Sequence, residues 1–349
     1  RGPVARAVRG RQGVTATLDR AAAAVLLAVR VPDRFRERLA ERFVVLGPFD
    51  APFPEAVAAM PRADAERVRA AVVFGTTDTS AAALARLPRL GVVCCVGSGY
   101  EGVDLEAARK RGIGVTHSPG ANASAVADLA VGLLLSSIRR LPQADVYVRS
   151  GEWSASGGRR MPHLPGLTGR KVGIYGLGAI GGKIARRLEA FETEVAYHNR
   201  HRRPDVGHAY HATLLDLAHW ADVLMVAVRA GPENRHAVDA KVLAALGPRG
   251  HVVNISRGSV IDEAALIRAL RDGGIAGAGL DVYEREPEVP AELRALPNVA
   301  LTPHLGGGTT EAQTAMQDCV LANLDAFLAG RPLPDPVPGS GPVVPVAAA

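Results

Sequence analysis

Three side chains in the last third of this chain have the types and order needed for a carbonyl reduction. Arg257 follows the apolar run "HVVNIS", Glu286 lies five residues past Asp281 in "GAGLDVYEREP", and His304 closes "NVALTPH". A guanidinium can hold the carboxylate of a 2-keto acid and polarise its keto oxygen. An imidazolium can donate a proton to that oxygen as hydride arrives, and a carboxylate can orient the imidazole and raise its pKa. Taken singly, each residue has a plainer explanation: a strand-end cap, one of several acids on a surface loop, a satisfied core histidine. Their joint appearance after a dinucleotide-type glycine turn is what points to an enzyme.

All three emerge where apolar runs end, and open α/β sheets keep their active sites at the C-terminal ends of strands. The runs come in two series. The first is "AVLLAVRV", "FVVLGPF", "AAVVFGTT", "GVVCCVGSG" and "GIGVTHS", separated by helix-like segments such as "PDRFRERLAER" and "DLEAARKRG". The second begins at "KVGIYG" and continues through "EVAYHN", "DVLMVAV", "HVVNIS", "GAGLDV" and "NVALTPH". Continuous Val-rich runs alternating with helices predict parallel sheets covered on both faces. The fold class is therefore α/β, with two doubly wound Rossmann-like domains and a cleft between them. A long helix over about 124–148 lies between the series, and a last helix, "TTEAQTAMQDCVLANLDAFLAG", is expected to return to the first domain. The domains so expected are 21–118 with 305–330 for substrate and 119–304 for dinucleotide, between flexible tails at 1–20 and 331–349.

In "YGLGAIG", Gly176, Gly178 and Gly181 form G-x-G-x-x-G directly after a strand and at the start of a helix, with Ala179 and Ile180 between the last two. The first glycine permits the tight turn, the second lets a pyrophosphate approach backbone N–H groups, and the third packs helix on strand. At the end of the next strand, where NAD specificity rests on a carboxylate, stand Asn199 and Arg200, with Arg202 and Arg203 close by in "HNRHRRP". Missing acid and added base together favour NADP(H) over NAD(H). His198, His201, His208 and His211 bracket this loop and are expected to face solvent; no spacing suggests a metal.

With 349 residues, 48% of them hydrophobic, the chain can fill two cores. The formal charge of +6 does not imply nucleic acid, since the first 20 residues hold five Arg against one Asp, a local +4 that leaves +2 elsewhere. That segment has no apolar stretch of a secretory signal, and an upstream extension or disordered tail is expected there rather than a transit peptide. "ASAVADLAVGLLLSSI" has 16 residues with Asp128 inside it, too short to cross a bilayer, so no membrane association is expected. Cys94, Cys95 and Cys319 are too few for a disulfide framework and read as reduced thiols in a cytoplasmic setting.

"GLGAIG", "VNISRGSVIDEAAL", "AGAGLDVYEREP" and "LTPHLGGGT", in this order, resemble the D-isomer-specific 2-hydroxyacid dehydrogenase family, and the resemblance extends over about 23–330. Within it, "YHNR" and "SRGSVIDEAALIRAL" look most like glyoxylate/hydroxypyruvate reductases that use NADPH. The resemblance implies a flavodoxin-like substrate domain, a Rossmann cofactor domain and a homodimer built largely through the helix after Ser124. It makes Arg257 the substrate-binding arginine, His304 the acid/base and Glu286 its partner. It places Asp281 at the nicotinamide end, Val228 and Ile255 along the cofactor, and the substrate carboxylate on the backbone of Val96, Gly97, Ser98 and Gly99. The implied partner is a small 2-keto or 2-hydroxy acid such as glyoxylate or hydroxypyruvate. Two alternatives are an aromatic 2-keto acid reductase acting on hydroxyphenylpyruvate and a nicotinamide-sensing, corepressor-like binding protein. Gly306, Gly307 and Gly308 stand where many members carry a bulkier residue, which suggests a looser pocket ceiling.

Overall fold

The computed structural model describes residues 23–340. The tail expected over 1–20, and the last nine residues of the one expected over 331–349, lie outside them. The chain divides into two compact units, residues 23–118 with 317–340 and residues 119–316. The domain change expected at 304/305 differs from this division. Leu305 and Gly306 donate their backbone N–H groups to the Asp281 carboxylate, and a Cβ at Gly307 would lie 3.5 Å from Met316, so this segment stays with the second sheet.

The first unit holds five parallel strands, β1 (Ala24–Leu27), β2 (Val44–Leu46), β3 (Val68–Phe74), β4 (Val92–Val96) and β5 (Gly114–Thr116), in the order β2-β1-β3-β4-β5. This is the flavodoxin-like order. Apart from the exposed Phe74, residues of β3 and β4 are buried whichever face they point to, because helices cover both sides of a parallel sheet. Cys94 and Cys95 lie in β4, and burial pushes the Cys94 thiol up to about 12, which leaves it protonated and inert. The later part of the helix Thr310–Leu328 packs here: a Cβ at Gly91 would lie 2.5 Å from the Phe327 ring. Arg38 and Arg42 pair with Asp318 and Asp325 of the same helix at 2.6 and 2.8 Å.

Residues 331–340 are not a free tail. Val337 N–H donates to Val115 O at 2.8 Å, Pro336 bridges Thr116 antiparallel, and the buried Asn323 amide clasps Asp335 through both its donor and its acceptor. Dense proline excludes a helix or a central strand, but an extended Pro-rich segment can still line the edge of β5, where not every N–H is needed.

The second unit holds seven parallel strands, β6 (Lys171–Tyr175), β7 (Glu194–His198), β8 (Ala209–Tyr210), β9 (Val223–Val226), β10 (His251–Asn254), β11 (Gly277–Leu280) and β12 (Val299–Leu301), ordered β12-β11-β10-β9-β6-β7-β8. The two-residue β8 has no counterpart among the sequence expectations, being too short to show periodicity. Chain order reverses between β6 and β9, which makes that junction the switch point where such sheets bind ligands. The single helix expected over 124–148 is two, Ala123–Arg139 and Leu141–Arg149, separated by Arg140 in the left-handed region at φ 49°. Pro142 explains the break, since it cannot donate to the carbonyl four residues back and its ring collides with it. Helix Ala123–Arg139 lies close on the sheet: a Cβ at Gly279 would come within 2.9 Å of Leu133 Cβ. Its Ser137 bonds the His251 ring at 2.9 Å, and burial drives His251 down to about 4, so this core imidazole stays neutral. Among the described residues no helix is long and apolar enough to cross a membrane.

Candidate active site

β10, β11 and β12 are neighbours and run parallel, so the loops after them leave from one edge of the sheet. That arrangement brings together three residues spread over 48 positions of sequence. His304 Nδ1 lies 2.7 Å from Glu286 Oε2, and the other carboxylate oxygen accepts the Tyr283 N–H at 3.0 Å. Burial pushes the Glu286 carboxyl up, but the hydrogen bonds from His304 and Tyr283, with the charges of His304 and Arg257, leave it below the ordinary range. The hydrogen bond to Glu286 raises the His304 pKa against burial and against the nearby Arg257 charge. The His304 side chain remains 42% exposed. Arg257 caps a short turn, Gly258–Val260, and its charge acts on both members of the pair.

The backbone under these groups is tightly held. Asn254, 1% exposed, donates to Arg257 O at 3.0 Å and accepts the Ser256 N–H at 3.0 Å. Ser256 Oγ donates to Val228 O, which ties β10 to the end of β9. A Cβ at Gly258 would meet Tyr283 C at 1.9 Å, so only glycine lets the arginine loop lie on the carboxylate loop. Asp281, expected at the nicotinamide end, is 2% exposed and holds the His304 loop: it accepts from Thr302 Oγ1 at 2.6 Å, Leu305 N at 2.7 Å and Gly306 N at 2.8 Å. In the Gly306–Gly308 run, where a looser ceiling is expected, a Cβ at Gly306 would lie 3.1 Å from Asp281 and one at Gly307 3.4 Å from Asn122.

On the cofactor side, Gly176 has φ 102° and a Cβ there would lie 2.4 Å from Val228 N, while one at Gly181 would lie 2.1 Å from Gly176 O. A Cβ at Gly178 would meet nothing within 4 Å. The outer two glycines are thus required by the fold itself. The middle one leaves an open approach to the N-terminus of the helix Ala179–Glu189, where a pyrophosphate fits. Ile255 is 7% exposed, and Val228 is half-buried at the end of β9. Asn199 Oδ1 accepts the Leu177 N–H at 2.7 Å, so this side chain shapes the glycine turn. Arg203 donates to Leu177 O at 3.0 Å and pairs with Asp205, which removes it from the free cations expected here. Arg200 and Arg202 are exposed and have no acidic partner among the described residues. Of the four histidines expected to face solvent, only His201 is exposed; His198 stacks on Tyr175 with ring centroids 5.6 Å apart, and His211 packs on Trp220. Among the described residues no group of three or more His, Cys, Asp or Glu side chains is placed to hold a metal ion.

In the first unit, Val96 ends β4 at 9% exposure and Gly97 turns the chain at φ 109°. Ser98 Oγ donates to Ser118 O at 3.3 Å, its carbonyl contacts His117 Nδ1 at 3.0 Å, and a Cβ at Gly75 would meet Gly99 O at 2.1 Å. His117 and Gly75 thus shape this loop without having been singled out in the sequence. Arg229 follows β9 as Arg257 follows β10, and burial, together with the Arg257 charge, lowers its pKa while Glu233 opposes the shift.

The family described as D-isomer specific 2-hydroxyacid dehydrogenase, NAD binding domain, matches residues 131–306. The chain is also 43% identical over 270 residues to glyoxylate/hydroxypyruvate reductase A of Arabidopsis thaliana, covering 77% of this chain and 85% of that protein. The chain belongs to the D-isomer-specific 2-hydroxyacid dehydrogenases. Like them it is an oxidoreductase that uses a nicotinamide cofactor. Hydroxyphenylpyruvate reductase of Plectranthus scutellarioides is 41% identical, over 78% of this chain and 86% of that one. Among solved structures, the NADPH-dependent glyoxylate/hydroxypyruvate reductase of Sinorhizobium meliloti, in complex with NADP and malonate, superposes with a TM-score of 0.86 at 41% identity, covering 92% of this chain and 98% of that one.

Proposed function

We propose that this dehydrogenase reduces small 2-keto acids, glyoxylate to glycolate and hydroxypyruvate to D-glycerate, with NADPH as the preferred cofactor. The observation that carries the reading is the 2.7 Å contact between His304 and Glu286 beside the Arg257 charge. The bound nicotinamide supplies the hydride. Arg257 binds the substrate carboxylate and polarises the keto oxygen; within the first unit, the backbone N–H groups of Val96, Gly97, Ser98 and Gly99 are the proposed substrate-binding loop. His304, protonated through its bond to Glu286, gives its Nε2 proton to the oxygen, and Glu286 keeps the imidazole turned for that transfer.

Gly176, Gly178, Ala179, Ile180 and Gly181 hold the cofactor at the glycine turn, with Val228 and Ile255 against it and Asp281 behind the His304 loop. Arg200 meets the 2′-phosphate of NADP beside Asn199, with no carboxylate there to repel it. The names of the Arabidopsis and Sinorhizobium relatives support the substrate class. The protein acts as a homodimer; exposed Leu141, Val146, Val148 and Trp153, 48 to 61% accessible, support a covered apolar face on the segment after Arg140. Buried free thiols support a reducing, cytoplasmic setting.

Initial rates with glyoxylate, hydroxypyruvate and hydroxyphenylpyruvate, each with NADPH and NADH, test the reading. Turnover of the two small acids with NADPH is expected. Faster reduction of hydroxyphenylpyruvate would move the assignment to the aromatic acid that the Plectranthus relative is named for. No turnover on any keto acid, together with tight NADPH binding, would favour a nicotinamide-sensing binding protein.

A further inference from the structure

Outside the reacting groups, a second charged cluster grips the loop that carries Glu286. Glu284 Oε1 accepts from Arg235 at 2.7 Å and contacts His236 Nε2 at 2.9 Å. Both partners belong to the segment that follows β9. That segment has its own fastenings: His236 takes φ 52° and donates its backbone N–H to Ser259 O at 2.8 Å, and Val238 N–H donates to Val260 O at 3.0 Å. Glu284 N–H donates in turn to Glu263 Oε2 at 3.2 Å. Residues 235–238 therefore bond both the arginine loop, through Ser259 and Val260, and the carboxylate loop, through Glu284.

We propose that Glu284 is a positioning residue, which Arg235 and His236 hold so that the loop of Tyr283 to Glu286 keeps the Glu286 carboxylate on His304. The covalent path is short. Glu284 lies next to Tyr283, whose N–H holds Glu286 Oε1, and Tyr283 OH anchors the same loop to Thr302 O at 2.9 Å, on the strand end that leads to His304. A carboxylate free to swing would give its hydrogen bonds to water, and the imidazole would lose the group that keeps it protonated. The charges facing His304 are Glu286, Asp281 and Arg257; those facing Glu284 are Arg235, His236 and Glu263. Since Glu284 touches none of the reacting groups, its removal should change His304 only through Glu286.

This inference rests on the reading of His304 as proton donor, yet its test does not need turnover. The His304 ring proton is titrated by NMR in the wild type, in Glu284→Ala and in Glu284→Gln, alongside pH profiles of kcat/KM for glyoxylate with NADPH. Glu284→Ala should lower the His304 midpoint by about 0.5 in pH and move the basic limb of the profile down by the same amount. Its kcat should fall on the order of threefold to tenfold with NADPH affinity unchanged, and Glu284→Gln, which still accepts a hydrogen bond, should restore part of both. A His304 midpoint equal to that of the wild type in a folded Glu284→Ala overturns the inference, whether or not the enzyme turns over. Should Glu284→Ala not fold, the exposed Arg235→Met combined with His236→Phe, which has no side-chain donor, removes the same grip from the other side, and an unchanged midpoint there is equally decisive. A wild type that titrates as expected but reduces no keto acid would sink the functional reading alone.

Discussion

The two ends of the seven-stranded sheet treat charge differently. At the β10–β12 end the proton-donating pair of the proposed chemistry is buttressed: Glu286 by the Tyr283 N–H, His304 by Glu286, and the loop beneath them by Asp281. At the β7–β8 end Arg200 and Arg202 project from the surface without an acidic partner among the described residues, while Arg203 is spent on Asp205 and the glycine turn. A proton transfer depends on angles and distances at one oxygen, so its groups must be positioned before substrate arrives. Discrimination of a 2′-phosphate requires only a cation within reach, and a flexible side chain supplies it.

The sharpest test of the first region is His304→Gln, which removes the proton donor and keeps the size. A kcat loss of about 10²- to 10⁴-fold in single-turnover reduction is expected, with cofactor affinity intact. If most of the rate survived, the proton would come from elsewhere and the contrast between the two ends would lose its chemical meaning. Asp281→Ala strips two backbone N–H groups and the Thr302 hydroxyl of their acceptor at a site only 2% exposed. Urea unfolding should show a loss on the order of 3 kcal/mol, because buried donors without partners are costly.

The second region should respond more gently. Arg200→Ala is expected to reduce the NADPH-to-NADH preference by about tenfold to a hundredfold, read as the ratio of kcat/KM values, without altering stability. Equal use of both cofactors by the wild type would instead make the "HNRHRRP" bases a solvated loop.

The pH dependence gives the smallest effect near neutrality and a definite sign. His304 has a raised pKa and is the proton donor, so kcat/KM for reduction should hold below the ordinary imidazole value and fall about tenfold per pH step once pH passes the raised value. Stability follows the same pair. The His304 contribution is fully present below the ordinary imidazole pKa of about 6.5 and is lost as pH rises through the folded value. The Glu286 contribution is present above the ordinary carboxyl value and is lost as pH falls through its depressed one. Stability that rose steadily from pH 6 to 10 would contradict the pair.

Much of this site was legible from residue types and spacing. G-x-G-x-x-G after a strand marks a turn because backbone sterics at Gly176 and Gly181 admit nothing larger, and the order Arg257, Glu286, His304 follows three successive strands. Strand positions were legible too, since a parallel sheet buried on both faces writes itself as unbroken apolar runs. What the residue types did not show was context. Asp281 looks like any acid at a strand end until the 302–306 backbone is seen to close on it, and Gly306 looks like empty space until Asp281 and Val126 fill it.

The chain's own sequence determined the two α/β halves, the family, the glycine turn and the identity of the reacting side chains, because these depend on local periodicity and on which functional groups are present. Only the tertiary structure decided that Asp281 holds the 302–306 backbone, that Arg203 is neutralised by Asp205 while Arg200 has no acidic partner among the described residues, and that Pro336 and Val337 line the edge of β5. Each of these depends on which polar atom finds which partner across many residues of sequence. Hydrogen-bond satisfaction in a packed interior is a property of the whole arrangement, so no short window of residues contains it.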